Sequence, residues 1–157
     1  MIKISRHGVL IKKLPLSIIK DTYKSKEKYI QIGKYKVFTK DDRYLNFIKN
    51  GFICAKCGLK GQYVNLEHNR KNKNHLNVYA IKNEKEILLT KDHIYPKSKG
   101  GLDSIINYQV LCEICNHNKS DNSPETLIQA LRNGQATKKS VEKAVKSGRP
   151  KALIGVW

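Results

Sequence analysis

Two sets of residues carry types and spacings that could do chemistry. The first is four cysteines, the only ones in the chain, arranged as two C-x2-C pairs, Cys54/Cys57 and Cys112/Cys115, with 54 residues between them. Two residues between cysteines let both thiolates reach one tetrahedral ion at a Zn–S distance of ~2.3 Å. Two such pairs form a closed four-thiolate site with no open position, so the expected ion is a structural Zn2+. The second set begins with Asp92-His93, a carboxylate beside an imidazole. A loop with Pro96, Lys97, Lys99 and Gly100-Gly101 follows, then Asn107, then Asn116, His117 and Lys119 just past the last cysteine. An imidazole titrates near pH ~6.5 and suits proton transfer. Carboxylate and amide oxygens suit a hard divalent cation such as Mg2+ or Mn2+.

These residues need elements to hold them. His75–Ile81 and Glu86–Ile94 read as two strands, with Lys82–Lys85 as their hairpin turn. A short helix is expected from about Glu113 to Lys119, so the cysteine staple ties the turn at Cys54–Gly58 to the start of that helix. Adjacent strand residues point to opposite faces. Asp92 and His93 therefore share one site only if the strand end is distorted or the site wraps around it, and Pro96 with the glycine pair makes such a departure feasible. Lys97 and Lys99, beside Asp92-His93, are candidate phosphate contacts. Lys119 is three residues beyond Asn116 on one helix face and could also reach phosphate. His117 lies about 100° round from Asn116, facing phosphate or solvent.

The flanks are less legible. Val9–Ile11 suggests a strand, Leu14–Ile19 a strand or helical turn, and Tyr29–Gly33 with Tyr35–Phe38 two strands joined at Gly33-Lys34. Thr39-Lys40-Asp41-Asp42 reads as a helix start with the Thr39 hydroxyl as cap; Tyr44, Phe47 and Ile48 form its apolar stripe and Asn50-Gly51 its end. Residues 65–74, polar and Asn-rich, read as a loop, with His68 and His75 as ordinary surface residues; Tyr95 and Tyr108 read as packing residues. Ser123-Pro124-Glu125 marks a helix start with Leu127, Ala130 and Leu131 as its stripe, residues 137–146 suggest a basic helix, and residues 147–151 a tail. The expected fold class is α+β: a small ββα core stapled by the four-cysteine zinc site, with an N-terminal β/α extension and C-terminal helices. The expected division is residues 1–50, a basic extension; 51–122, the core; and 123–157, basic helices and tail.

Lys and Arg total 31 against 13 Asp and Glu, a formal net charge of +18 on 157 residues. Such a surface attracts polyanions, and nucleic acid is the expected partner. Affinity for a duplex should fall steeply with salt, roughly as the 0.9Z power for Z phosphates neutralised. No run of 18 apolar residues suggests a membrane span, and the N-terminus lacks an apolar signal region, so a cytoplasmic location is expected.

With Asp92-His93-Ile94-Tyr95-Pro96-Lys97-Ser98-Lys99-Gly100-Gly101, then Asn107, then Cys112-Glu113-Ile114-Cys115-Asn116-His117-Asn118-Lys119, the chain resembles the HNH endonucleases, also called ββα-metal or His-Me nucleases, over roughly residues 54–120. The order of these pieces, interleaved with the cysteine pairs, carries the resemblance. It implies metal-dependent hydrolysis of phosphodiesters in double-stranded DNA, leaving 5′-phosphate and 3′-hydroxyl ends, in a protein of phage or mobile-element type. It implies His93 as the general base, Asp92 as a ligand of the catalytic Mg2+ or Mn2+, Asn107 as the residue orienting the base, and Asn116 as the second metal ligand, the H-N-N variant of the motif. His117 is the competing ligand at that last position. The rival readings are a zinc DNA-binding module without catalysis and an RNA-directed nuclease.

Overall fold

The computed structural model describes residues 4–5, 7–71 and 73–119. The helices expected at Ser123–Asn133 and over 137–146, and the tail, lie outside the described residues. The strands are β1 (Ile4–Ser5), β2 (Gly8–Leu14), β3 (Tyr29–Ile32), β4 (Tyr35–Phe38), β5 (Tyr63–His68), β6 (Asn74–Lys82), β7 (Lys85–His93) and β8 (Tyr108–Cys112). The helices are α1 (Ser17–Lys24), α2 (Asp42–Asn50) and α3 (Glu113–Lys119), with short 3-10 turns at Lys97–Lys99 and Ile105–Asn107. The chain divides into two compact units. One holds residues up to Lys91 with Val110–Cys115, the other Asp92–Gln109 with the stretch from Asn116 onward. Among the described residues no helix is long and apolar enough to cross a membrane.

The fold is a mixed α+β arrangement, and its β6–β7 hairpin with α3 is consistent with a small ββα core. The strands run in the order β1-β2-β5-β6-β4-β3, and β7 branches off by pairing with both β6 and β8. β5 and β6 are antiparallel in continuous register from Tyr63↔Tyr79 to His68↔Asn74, while β4 meets β6 in parallel at Val37↔Asn74. The β6–β7 turn falls where Lys82–Lys85 is expected. Asn83 and Glu84 both take positive φ, 50° and 61°, the backbone of a tight hairpin whose twist matches its strands. Ile19, Val37, Val64, Leu66, Leu76 and Val78 are almost completely buried and form the centre of the core.

Three local readings need correction. Residues 65–68 continue β5 rather than forming a loop. β5 pairs with β2 on one edge and β6 on the other, Tyr63 to Glu67 are all buried, and the Glu67 carboxylate finds its partners inside. Glu67 accepts from the Asn77 amide at 2.6 Å and the Tyr79 hydroxyl at 3.0 Å. A polar sequence can thus be a buried strand when its partners are built in. His68 and His75 are accordingly half-buried and hydrogen-bonded on β5 and β6, not ordinary surface residues; His68 Nδ1 bonds Asn74 at 2.8 Å. At α2, Asp41 rather than Thr39 is the cap. Its carboxylate accepts from the Arg43 N–H at 2.9 Å, while the Thr39 hydroxyl donates to the Glu27 carbonyl at 2.6 Å. Leu14–Ile19 resolves into the end of β2 and the start of α1.

Candidate metal centre and active site

The first cysteine pair sits on a knuckle set by backbone bonds: Cys54 N–H to the Leu59 carbonyl at 3.0 Å and Gly58 N–H to the Cys54 carbonyl at 2.9 Å. Ala55 N–H donates to the Val110 carbonyl at 2.8 Å, which ties the knuckle to β8. β8 and the first turn of α3 carry the second pair. Thr90 Oγ1 donates to the Leu111 carbonyl at 2.8 Å and the Leu88 N–H to Glu113 at 3.1 Å, so β7 is held against that junction. The result brings the four sulfurs together: all lie within 4.8 Å of one another, with Cys57 and Cys112 at 3.8 Å. Four sulfurs around one ion at ~2.3 Å stand about 3.8 Å apart, so the cluster could hold a metal such as zinc.

The thiol acidities report the same crowding. Burial pushes the Cys115 thiol up to about 12 and also raises Cys112. At Cys54 burial acts in the same direction, but hydrogen bonds from the Cys57, Cys112 and Lys56 backbone outweigh it and bring the thiol down to about 6. Cys54 is thereby favoured as thiolate over Cys112 and Cys115. A dication would favour all four.

The second cluster belongs entirely to the other unit. β7 ends at His93, and the two adjacent side chains go to different partners, as strand alternation requires. Asp92 Oδ2 accepts from Gln109 Nε2 at 2.8 Å and Lys119 Nζ at 2.6 Å. The Lys119 ammonium also donates to the His93 backbone carbonyl. The side chains of this ion pair are only 8% and 12% exposed. His93 turns instead toward Asp103, with Nε2 2.7 Å from Oδ1, and its ring meets Tyr108 edge-on at 5.1 Å. Asp103 also receives Lys97 Nζ at 2.6 Å. Lys97 first, and His93 second, hold its carboxyl down at about 2. Asp103 is therefore ionised and can only accept, so His93 Nε2 is the donor of that bond.

Asn107 is buried, and its side chain grips the loop rather than any solvent-facing group. Its amide oxygen accepts from the Tyr95 N–H at 2.9 Å, and its amide nitrogen donates to the Tyr95 and Leu102 carbonyls at 3.1 and 3.0 Å. The Ile94 N–H donates to the Asn107 carbonyl at 2.8 Å. One asparagine thus closes the loop that follows His93. Gly101 is needed in that closure, because a Cβ there would stand 2.0 Å from the Tyr95 carbonyl oxygen. Gly100, at φ +93°, supplies a left-handed turn beside it.

The structure thus gathers Asp92, His93, Asn107 and Lys119 in one unit, with Asn116 half-buried and His117 exposed on α3. Lys97 is on the loop with its ammonium on Asp103, and Lys99 is on the same 3-10 turn. Lys119, expected to face phosphate, is buried against Asp92 instead. Two contributors escaped the sequence reading: Gln109, a bond donor to Asp92, and Asp103, the partner of His93. Asp103 left a signal, being the only acid between Asp92 and Glu113 in a lysine-bearing loop.

No curated protein and no solved structure matches the chain. A family match does exist, and it supports a nuclease-type function with nucleic acid as the substrate class. Residues 80–132 match the family model described as HNH endonuclease, which bears out the resemblance carried by Asp92-His93, Asn107 and Asn116.

Proposed function

We propose that this protein is a metal-dependent endonuclease that hydrolyses phosphodiester bonds of double-stranded DNA in the cytoplasm. The observation that carries the reading is a His93 ring fixed by an ionised carboxylate at the end of β7, within the stretch that matches the HNH endonuclease family. Because Asp103 keeps Nε2 protonated, the lone pair of the neutral ring lies on Nδ1, and that atom takes the proton from the attacking water. Asn107 sets the loop on which this geometry depends. It positions and does not react. Asp92 and Asn116 offer the oxygen ligands a hard cation requires, and a Mg2+ or Mn2+ ion held there supplies positive charge at the scissile phosphate. The Lys119 ammonium, 2.6 Å from Asp92 Oδ2, competes for that carboxylate, so a dication held by Asp92 would have to displace it or share the carboxylate with it. A Zn2+ ion on Cys54, Cys57, Cys112 and Cys115 is structural, because four thiolates leave no open position. Residues 51–122 form the nuclease core, and the basic segments 1–50 and 123–157 grip the DNA backbone.

A plasmid-nicking assay at low salt with Mg2+ or Mn2+ tests the reading. Wild type should convert supercoiled to open-circular DNA, and structured RNA should remain intact under the same conditions. His93→Ala should abolish cutting while zinc content and DNA binding stay near wild type. Absence of cutting by wild type refutes the enzyme reading, and cutting by His93→Ala at the wild-type rate refutes the base assignment.

A further inference from the structure

The β3–β4 hairpin presents two large aromatic side chains outward. Tyr29 is 42% and Phe38 39% exposed, although their neighbours Ile30 and Val37 already supply the hairpin's contribution to the core. The two are direct cross-strand partners, with ring centroids 5.6 Å apart at 60°. Beside them opens a cavity of about 540 Å3 whose lining includes both rings, Lys36 and Lys73. That volume is within the ~300–1,000 Å3 range of small-ligand sites. All of its lining residues belong to the unit that does not contain His93.

The remaining polar groups of the cavity are already engaged. Asn74 donates to the Lys36 carbonyl at 2.9 Å and bonds His68 at 2.8 Å. The His75 ring is met by Arg43 at 3.2 Å and Asn69 at 2.8 Å. Asp41 is balanced locally by Arg43, Nη2 to Oδ2 at 2.9 Å. The cavity therefore offers ring faces and ammonium groups but few unengaged groups to read the edge of a ligand. Lys36 Nζ stands 4.4 Å and Lys28 Nζ 5.8 Å from the Tyr29 ring centroid. An exposed cation–π contact is weaker than the stacking of a base on an aromatic ring, so an incoming base displaces the ammonium, which can then meet a phosphate.

We propose that this cavity binds an unpaired nucleobase of a DNA strand, stacked on the Tyr29 ring with the Phe38 ring at its edge, and with Lys36 and Lys73 on the adjoining phosphates. The net charge of +18 complements such a strand. The proposal rests on the reading that this chain acts on DNA, but it concerns binding away from the His93 cluster. Because the polar groups are engaged, binding tolerates any base.

The test is fluorescence anisotropy of zinc-loaded full-length protein, without added Mg2+ or Mn2+, on labelled dT15 and on a 15-base-pair duplex. Tyr29→Leu/Phe38→Leu keeps apolar side chains on the hairpin but removes the ring faces. It should raise Kd for dT15 by about tenfold or more and change duplex Kd by less than twofold. If the double variant melts earlier than wild type, Tyr29→Leu alone, on the edge strand, carries the same expectation at about fivefold or more. A dT15 affinity within twofold of wild type, or equal losses on strand and duplex, overturns the proposal. A wild type that nicks plasmid yet loses nothing on substitution overturns this site alone. A wild type that binds dT15 through these rings but cuts no DNA overturns the endonuclease reading and leaves the site standing.

Discussion

Replacing Lys119 by Met tests the buried pair at the heart of the candidate active site. The substitution keeps most of the side chain's apolar length and removes an ammonium that sits 2.6 Å from Asp92 Oδ2 and also bonds the His93 carbonyl. With side-chain exposures of 8% and 12%, the pair is screened little by water. Removing one partner of a buried pair leaves an uncompensated charge, at a cost of about 3–5 kcal/mol. Gln109 remains as a neutral donor to the same oxygen, which favours the lower end. For a chain of this length each kcal/mol corresponds to roughly 2–4 °C, so the melting temperature should fall by about 6–20 °C. Differential scanning fluorimetry of zinc-loaded protein measures this directly. Added Mg2+ or Mn2+ should restore part of the loss in the variant and much less in wild type, because a cation bound at Asp92 replaces the missing charge. A loss of less than about 1 kcal/mol would match an exposed pair and refute the burial argument. A full loss with no response to either ion would refute Asp92 as a cation ligand.

Other perturbations probe the neighbouring parts. Asp103→Asn should lower plasmid nicking about tenfold or more with unchanged DNA binding, because an amide no longer fixes the protonated nitrogen of His93; unchanged nicking would count against that bond. The Asp103 carboxyl is lowered from an ordinary 3.8 to about 2, so its contribution is complete above the ordinary value and is lost as pH falls through about 2. Nuclear magnetic resonance of the His93 ring should accordingly show the Nε2 bond intact at pH 5. Gly101→Ala places a methyl group 2.0 Å from the Tyr95 carbonyl oxygen, and should destabilise the loop by ~1–3 kcal/mol and reduce nicking more than zinc binding. Cys112→Ser should lower the metal-to-protein ratio measured by atomic emission and collapse the far-ultraviolet dichroism, whereas a folded variant with normal metal content would exclude a four-thiolate site.

The elements around the site were legible because their signals are local. The hairpin at 75–94, the knuckle at Cys54–Gly58 and the helix at Glu113–Lys119 each carry turn residues or spacings that need no tertiary context. β5 was not legible, because Asn65 and Glu67 look like loop residues unless one knows that Asn77 and Tyr79 of β6 share their face and bond the Glu67 carboxylate. The cap of α2 was misread for a related reason: Thr39 has the right chemistry for a cap, but its hydroxyl is taken by the Glu27 carbonyl twelve residues earlier. At the site, the cysteine cluster followed from spacing alone. The destinations of Lys119 and Asp103 did not, since pairs 27 and 10 residues apart are decided by packing and loop conformation and not by pattern.

The distance between the two cysteine pairs sets a schedule during synthesis. With 54 residues between Cys57 and Cys112, and elongation at ~5–20 residues per second, the first knuckle emerges roughly 3–11 s before the second pair exists. Throughout that interval it has two thiols and no tetrahedral cage, so any metal it meets is held loosely and any oxidant meets an unprotected dithiol. The four-sulfur cluster is completed only after both strands of the β6–β7 hairpin and the whole Asp92–Asn107 loop have left the ribosome. A four-thiolate metal site could therefore form only late, with His93 and Asn107 already synthesised and Asn116 and Lys119 still to follow.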